Sequence, residues 1–249
     1  MNRNKVIWGI VALVVLVTIA VSFGSRQSYS QRNKVESPTT DDLSRYPVVD
    51  YDTPEIANAT EREARRLKSK RYDGQQYFVK KNPHPETDGV IVYDAVKPPP
   101  AIPIAESNLI VIGEINTATA FLANDKGSVY TEFTIRVDEI FRADNTGKIT
   151  KDSIITTDRA GGYVRYQNGQ KVIYRFDGQD FPEVGGHYLL FLKTEKDSPN
   201  YVLVTAYELK DGKARSLDTV IPYNEFNGTS DNLMQIIKTK VTALTTNEN

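Results

Sequence analysis

Residues 129–138, Val-Tyr-Thr-Glu-Phe-Thr-Ile-Arg-Val-Asp, decide how this chain folds. Val129, Thr131, Phe133, Ile135 and Val137 alternate with Tyr130, Glu132, Thr134, Arg136 and Asp138. Successive side chains of a strand point to opposite faces, so this order predicts a strand buried on one face and wet on the other. Upstream, Leu109 to Ile115 is almost wholly apolar or β-branched and contains Gly113, which predicts a central strand with a bulge or bend. Downstream, Ile154–Thr157, Tyr163–Tyr166, Val172–Phe176, Tyr188–Leu192 and Tyr201–Glu208 continue the series. Turn residues separate them: Asp144-Asn145-Thr146-Gly147, Asn168-Gly169, Asp177-Gly178, Gly185-Gly186 and Ser198-Pro199-Asn200. Asn168-Gly169 between two aromatic-rich runs predicts a hairpin, and strands at this spacing predict a small barrel or sandwich. Leu233, Ile236, Ile237, Val241 and Leu244 then recur at helical spacing behind Ser230-Asp231, so a C-terminal amphipathic helix packs on the sheet. The fold class is mainly β, with the β-barrel domain and its helix over residues 104–249.

The chain before Ile104 reads differently. Pro83, Pro85, Pro98, Pro99, Pro100 and Pro103 remove donors and fix φ, which predicts a proline-rich linker over 73–103. Val90 to Tyr93 is a possible edge strand within it, and Pro98–Pro100 is a stiff spacer or a docking ligand for an aromatic groove. Thr53-Pro54-Glu55 reads as N-cap, first helical residue and dipole-favoured anion, predicting a charged helix over 54–72. Its interior, EREARRLKSKR, holds six basic and two acidic residues. Its apolar stripe is thin (Ile56, Ala59, Ala64, Leu67), so the helix is expected to dock weakly or stand free. Its charge is read as a solvated face or as attraction to anionic headgroups or an acidic partner. Residues 25–53 are polar and aperiodic, the composition of a tether.

Residues 6–23 are eighteen largely apolar residues without a charge. As a helix they span about 27 Å, close to the roughly 30 Å of a bilayer's hydrocarbon core. Arg3 and Lys5 precede them and Arg26 is the first charge after them, which sets the N-terminus inside and the remainder outside. Residues 1–24 are therefore a membrane anchor, or a cleaved secretory signal with small residues at Ser22 and Gly24. The first reading gives a single-pass membrane protein with an extracytoplasmic domain; the second gives a secreted or periplasmic one.

Composition narrows the function. Past Gly24 the chain carries 29 basic and 32 acidic side chains, which excludes the basic footprint of a nucleic-acid partner. There is no cysteine, so disulfides, thiol nucleophiles and cysteine-based zinc sites are excluded, and export without cysteine fits a bacterial envelope. Asn58-Ala59-Thr60 and Asn227-Gly228-Thr229 match the glycosylation triplet, which is short enough to arise by chance.

The pieces AESNLIVIGEI (105–115), VYTEFTIRVDEIFRADNTGKI (129–149) and GGHYLLFLK (185–193) resemble, in their order, the netrin-like module of tissue inhibitors of metalloproteinases and complement proteins. The resemblance covers residues 104–209 and implies an OB-type barrel. Inhibitors of that family reach the target's metal with an N-terminal cysteine, so no inhibitory residue is carried over to this chain.

No reaction centre assembles from spacing. His84 and His187 are the only histidines and lie far apart, no Gly-x-Ser-x-Gly occurs, and no cofactor motif is present. Asp158-Arg159-Ala160-Gly161-Gly162 reads as a backbone anion nest or a strand-ending turn. Asp138, Glu139, Asp177, Asp180 and Glu183 are carboxylates for acid–base work on a sugar, or solvated strand charges. Tyr163, Tyr166, Tyr174, Tyr188, Tyr201 and Tyr207 fall on predicted strands and form either an exposed ladder for a glycan or peptide or core filling with wetted hydroxyls. The expectation is a non-catalytic, membrane-anchored envelope protein whose β domain binds a protein or polymer partner. The alternatives are an exported hydrolase using carboxylates or tyrosine, and a structural spacer.

Overall fold

The computed structural model describes residues 47–75, 77–80, 89–93, 100–143, 148–176, 178–195, 198, 200–218 and 226–247. The apolar stretch 6–23, most of the tether and His84 lie outside the described residues. Among the described residues no helix is long and apolar enough to cross a membrane.

The alternating stretch is the middle of a hairpin made by two fourteen-residue strands, β4 (Leu109–Leu122) and β5 (Val129–Arg142). Their register shifts between Ile110 and Val111, between Ile112 and Gly113, and between Ile115 and Thr117. Such bulges bend a strand and increase its twist, which lets a long hairpin curl. The curl is completed by β6 (Ile154–Ala160), β9 (His187–Thr194) and β10 (Tyr201–Lys210). β5 pairs antiparallel with β6, β6 pairs parallel with β10, β10 pairs antiparallel with β9, and β9 returns antiparallel to β4. Five strands thus form a ring of hydrogen-bonded neighbours. β11 (Lys213–Ser216) and β12 (Asn227–Thr229) extend from β10.

Period-two alternation sorts the side chains. Val111, Ile115, Phe133, Ile135, Val137, Ile155, Leu190 and Leu192 form one cluster, with Phe181 and Leu217 joining it. The intervening Ile110, Leu189, Phe191 and Tyr207 lie on the opposite face under α2 (Ser230–Asn247), whose Leu233 and Ile237 are buried against them. Burying each such side chain stabilises by about 1.5–3 kcal/mol. The expected C-terminal helix thus packs its stripe on the sheet, but Thr229 caps it rather than the expected Ser230-Asp231, which lie in its first turn; the Thr229 hydroxyl accepts from the Asn232 amide at 3.2 Å.

A second sheet has the order β1 (Val48–Asp50), β7 (Gly162–Arg165), β8 (Lys171–Phe176), β3 (Gly89–Tyr93), β2 (Tyr77–Lys80). β1 is parallel to β7 and β3 to β8, and the expected hairpin at Asn168-Gly169 joins β7 to β8. The end of the expected tether therefore yields a strand, and the expected linker over 73–103 supplies two. Val90–Tyr93 is a strand, but an interior one between β8 and β2 rather than an edge, because Tyr77–Lys80 pairs along its outer side. Ala120 and Val129, from the far ends of β4 and β5, share a small core with Val49, Val164, Val172 and Tyr174.

The charged helix is α1 (Ala59–Ser69), followed by a 3-10 turn over Lys70–Tyr72. It starts later than expected. Thr53 donates both its amide and its hydroxyl to the Asp50 carbonyl and so closes the turn after β1, leaving Asn58 as the N-cap. The Asn58 side-chain oxygen accepts from the amides of Thr60 (2.9 Å) and Glu61 (3.2 Å), satisfying two orphan donors of the first turn.

Candidate functional site

The tyrosines separate by burial. Tyr163, Tyr174, Tyr188, Tyr201 and Tyr207 are buried, so they form no exposed ladder. They fall on strands as expected, but Tyr188 and Tyr201 join the core inside the ring, Tyr174 packs between the second sheet and the ends of β4 and β5, and Tyr207 lies under α2. Burial pushes the Tyr188 and Tyr207 phenols up to about 12, so both stay protonated across ordinary pH. Tyr188 accepts from the Glu183 amide at 2.9 Å, and Tyr207 donates to the Ala101 carbonyl. Tyr166 alone of the six is half-buried. It stacks on Tyr51 with ring centroids 5.1 Å apart, its hydroxyl meets that of Tyr174 at 2.6 Å, and the Lys126 ammonium lies 5.3 Å from the Tyr51 ring.

The densest constellation of polar chemistry lies between α1 and the outer face of β5 and β6. Glu132 and Asp158 are register partners on these antiparallel strands, so their side chains leave the same face as neighbours. Glu132 Oε1 accepts from Arg65 Nη1 at 2.5 Å and from Lys68 Nζ at 2.7 Å. Asp158, with no exposed side-chain surface, accepts from the Tyr72 hydroxyl at 2.5 Å and from Arg71 Nη2. Tyr130, two residues back along β5 and so on the same face as Glu132, accepts from Arg65 at 3.2 Å, lies 3.0 Å from the Ser69 hydroxyl, and stacks on Tyr72 with centroids 4.4 Å apart. The Arg65 guanidinium also sits 3.5 Å from the Phe121 ring centroid. Burial pushes the Asp158 carboxyl above the usual range, although the Tyr72 hydroxyl and the Arg71 guanidinium pull the other way. Taking a carboxylate out of water outweighs two good partners here.

This seam corrects the reading of α1. The face expected to be solvated is the docked one: Arg65, Lys68, Ser69 and Tyr72 meet the sheet at helical spacing, while Ala59, Ala64 and Leu67 point to solvent, Leu67 being 58% exposed. The physical reason is the partner surface, which offers carboxylates and a phenol rather than an apolar groove.

The remaining expectations resolve individually. The segment Asp158–Gly162 is no anion nest: β6 runs through Ala160, Gly162 opens β7, and the Gly161 amide already donates to the Val129 carbonyl at 2.7 Å. His187 Nδ1 lies 3.3 Å from Asp138, which also accepts from Arg136 at 2.7 Å, and Glu139 lies 3.4 Å from Lys238. Asp180 accepts from the Phe181 amide at 2.9 Å, and Asp177 lies outside the described residues. Among the described residues no three His, Cys, Asp or Glu side chains are grouped to hold a metal. The sequence reading missed Tyr72, Tyr130 and the pairing of Glu132 with Asp158. The spacing of Arg65, Lys68 and Tyr72 was the available signal, and it becomes readable only once strand register places both carboxylates together.

Compared with protein-family models, with curated proteins and with solved structures, the chain shows no match.

Proposed function

We propose that this chain is a non-catalytic, membrane-anchored envelope protein whose extracytoplasmic domain is an OB-like barrel that binds a protein or polymer partner. The apolar residues 6–23 carry the anchor, and the N-terminal positive charges set its direction. The observation that carries the binding reading is the ring of β4, β5, β6, β10 and β9 with its apolar filling, a closed support with no catalytic grouping in its core among the described residues. OB-type barrels are a scaffold that recurs in binding domains. Glu132 is bound to Arg65 and Lys68 of α1, and Asp158 to Arg71 of the turn that follows it, which disfavours the hydrolase alternative.

A half-buried aromatic pair, Tyr51 stacked on Tyr166, lies next to Lys126. An amphipathic ring beside a cation suits a peptide or glycan surface. The test is affinity capture from detergent-solubilised membranes with the full-length chain, against a Tyr51→Ala, Lys126→Glu variant. This pair leaves the Tyr166–Tyr174 hydroxyl contact in place. Loss of about 2 kcal/mol at a binding hot spot lowers capture of a specific partner by roughly thirtyfold. Equal capture by both proteins, or capture of nothing, overturns the proposal.

A further inference from the structure

We propose that α1 is a polar latch: it opens as a unit away from the outer face of β5 and β6, pivoting on Tyr72–Gly74, while the five-stranded ring stays folded. The two ends of the element differ in how they are held. At the C-terminal end, Ser128 donates to the Tyr72 carbonyl, the Gly74 amide donates to Asp125 at 2.6 Å, and Asp73 accepts from the amides of Asn124 (2.8 Å) and Asp125 (3.3 Å). Tyr72 itself is buried in a stack on Tyr130. This pivot belongs to the β4–β5 connection and moves with it.

Before the helix, Asp52 to Asn58 is exposed apart from half-buried Ile56, giving a seven-residue arm between β1 and α1. Between arm and pivot, Ser69 is the only buried residue of α1. The helix is held by Arg65 and Lys68 on Glu132, by Ser69 and Arg65 on Tyr130, and by Asn124 donating to the Arg66 carbonyl at 3.0 Å. Segments with little buried apolar surface and many polar contacts open at lower free energy than the core they cover. Opening does not expose Leu67, Ala59 or Ala64, which are already in solvent. It returns Arg65 and Lys68 of α1 to water together with Arg71 of the following turn, which gives up its contact with Asp158 but gains water for Nε and Nη1, buried without a hydrogen-bond partner among the described residues. What the latch covers is Tyr130 and Glu132, a polar face on a rigid scaffold.

The test is hydrogen exchange read by mass spectrometry on the full-length chain in detergent, with Glu132→Gln as the variant. In the unaltered protein, amides of residues 62–69 are expected to exchange faster than those of β4 and β9. In Glu132→Gln they exchange about tenfold faster again, with β4 and β9 unchanged, as expected for loss of a charge-assisted contact. Arg65→Gln, which breaks the same contact from the helix side, is expected to do the same and serves if the first variant folds poorly. Exchange of α1 at the rate of the ring strands, or an equal change in both regions in the variants, overturns the latch, and so does no change at all. None of these readouts involves a partner, so failure here leaves the binding proposal to its own test.

Discussion

Asp218→Ala is expected to cost about 3–5 kcal/mol of folding stability, because it breaks a buried ion pair and leaves a charge behind. The five-stranded ring closes most sparingly between β6 and β10, where only Tyr201 with Thr157 and Val202 with Asp158 are paired. Side chains reinforce that closure. Thr157 donates to the Tyr201 carbonyl at 3.1 Å. Asp218, just past β11, accepts from Arg159 of β6 through Oδ1 and from Thr205 of β10 at 2.5 Å through Oδ2. Arg159 Nη1 also donates to the Asp180 carbonyl at 2.8 Å. The side chains of Arg159 and Asp218 are 6% and 8% exposed, so neither reaches water when the other is removed. Against a typical total of about 5–15 kcal/mol, such a loss is a large fraction of the stability. Denaturant unfolding of the full-length chain in detergent measures it. Asp218→Asn keeps the acceptor for Thr205 and is expected to cost less. Replacing both partners, Arg159→Met with Asp218→Leu, is expected to recover most of the loss, because the desolvation cost of both charges disappears with them. A loss below about 1 kcal/mol for Asp218→Ala, the range of an exposed pair, would contradict this view of the ring closure.

Gly161→Ala carries the second large effect, at about 2–5 kcal/mol, from backbone strain and overpacking acting together. Gly161 is where the chain leaves β6 of the ring and enters β7 of the second sheet, at φ +110°. An added Cβ would stand 2.7 Å from the Phe181 ring and 2.7 Å from the Tyr174 carbonyl. The carbonyl belongs to β8 and the ring to the buried core, so neither gives way cheaply. Gly169 supplies the comparison. Its φ is +82° in the β7–β8 turn with nothing within 4 Å of an added Cβ, so Gly169→Ala should cost only about 1 kcal/mol. Thermal unfolding of the two variants side by side separates strain alone from strain plus collision. Equal losses would mean that the crossing at Gly161 is less crowded than described.

How far the fold was legible depended on whether one strand face was strictly apolar. The alternation from Val129 to Val137 and the runs at Tyr188–Leu192 and Tyr201–Glu208 marked ring strands because each buries a full face. β4 continues past its expected end at Ile115 to Leu122 through Asn116-Thr117-Ala118-Thr119-Ala120, where a register shift between Ile115 and Thr117 breaks the period and the side chains are small or polar. β1 has three residues and β2 four, too few for any period to register. The tyrosines showed which strands they occupy, but not which faces α2 and the second sheet would cover. The orientation of α1 was illegible for a deeper reason. Hydrophobicity alone turns Ala64 and Leu67 inward, whereas the sheet presents Glu132 and Asp158, brought together by a cross-strand register that no local pattern encodes.

That same seam bears on function. Arg65 and Lys68 of α1, Arg71 of the turn after it, two carboxylates and a stacked pair of tyrosines make a surface that holds its own chain through polar contacts. If the proposed binding role and latch both hold, the ring would fix the geometry while the polar cover adjusts what is presented.

The address of the domain tests the account most directly. Cells making the full-length chain are fractionated, membranes are washed at alkaline pH, and intact cells whose outer barrier has been opened are treated with protease. The account predicts that the protein remains in the washed membranes and that its β domain is cleaved by protease added from outside. Recovery of the unprocessed chain in the soluble cytosolic fraction, protected from that protease, would contradict it.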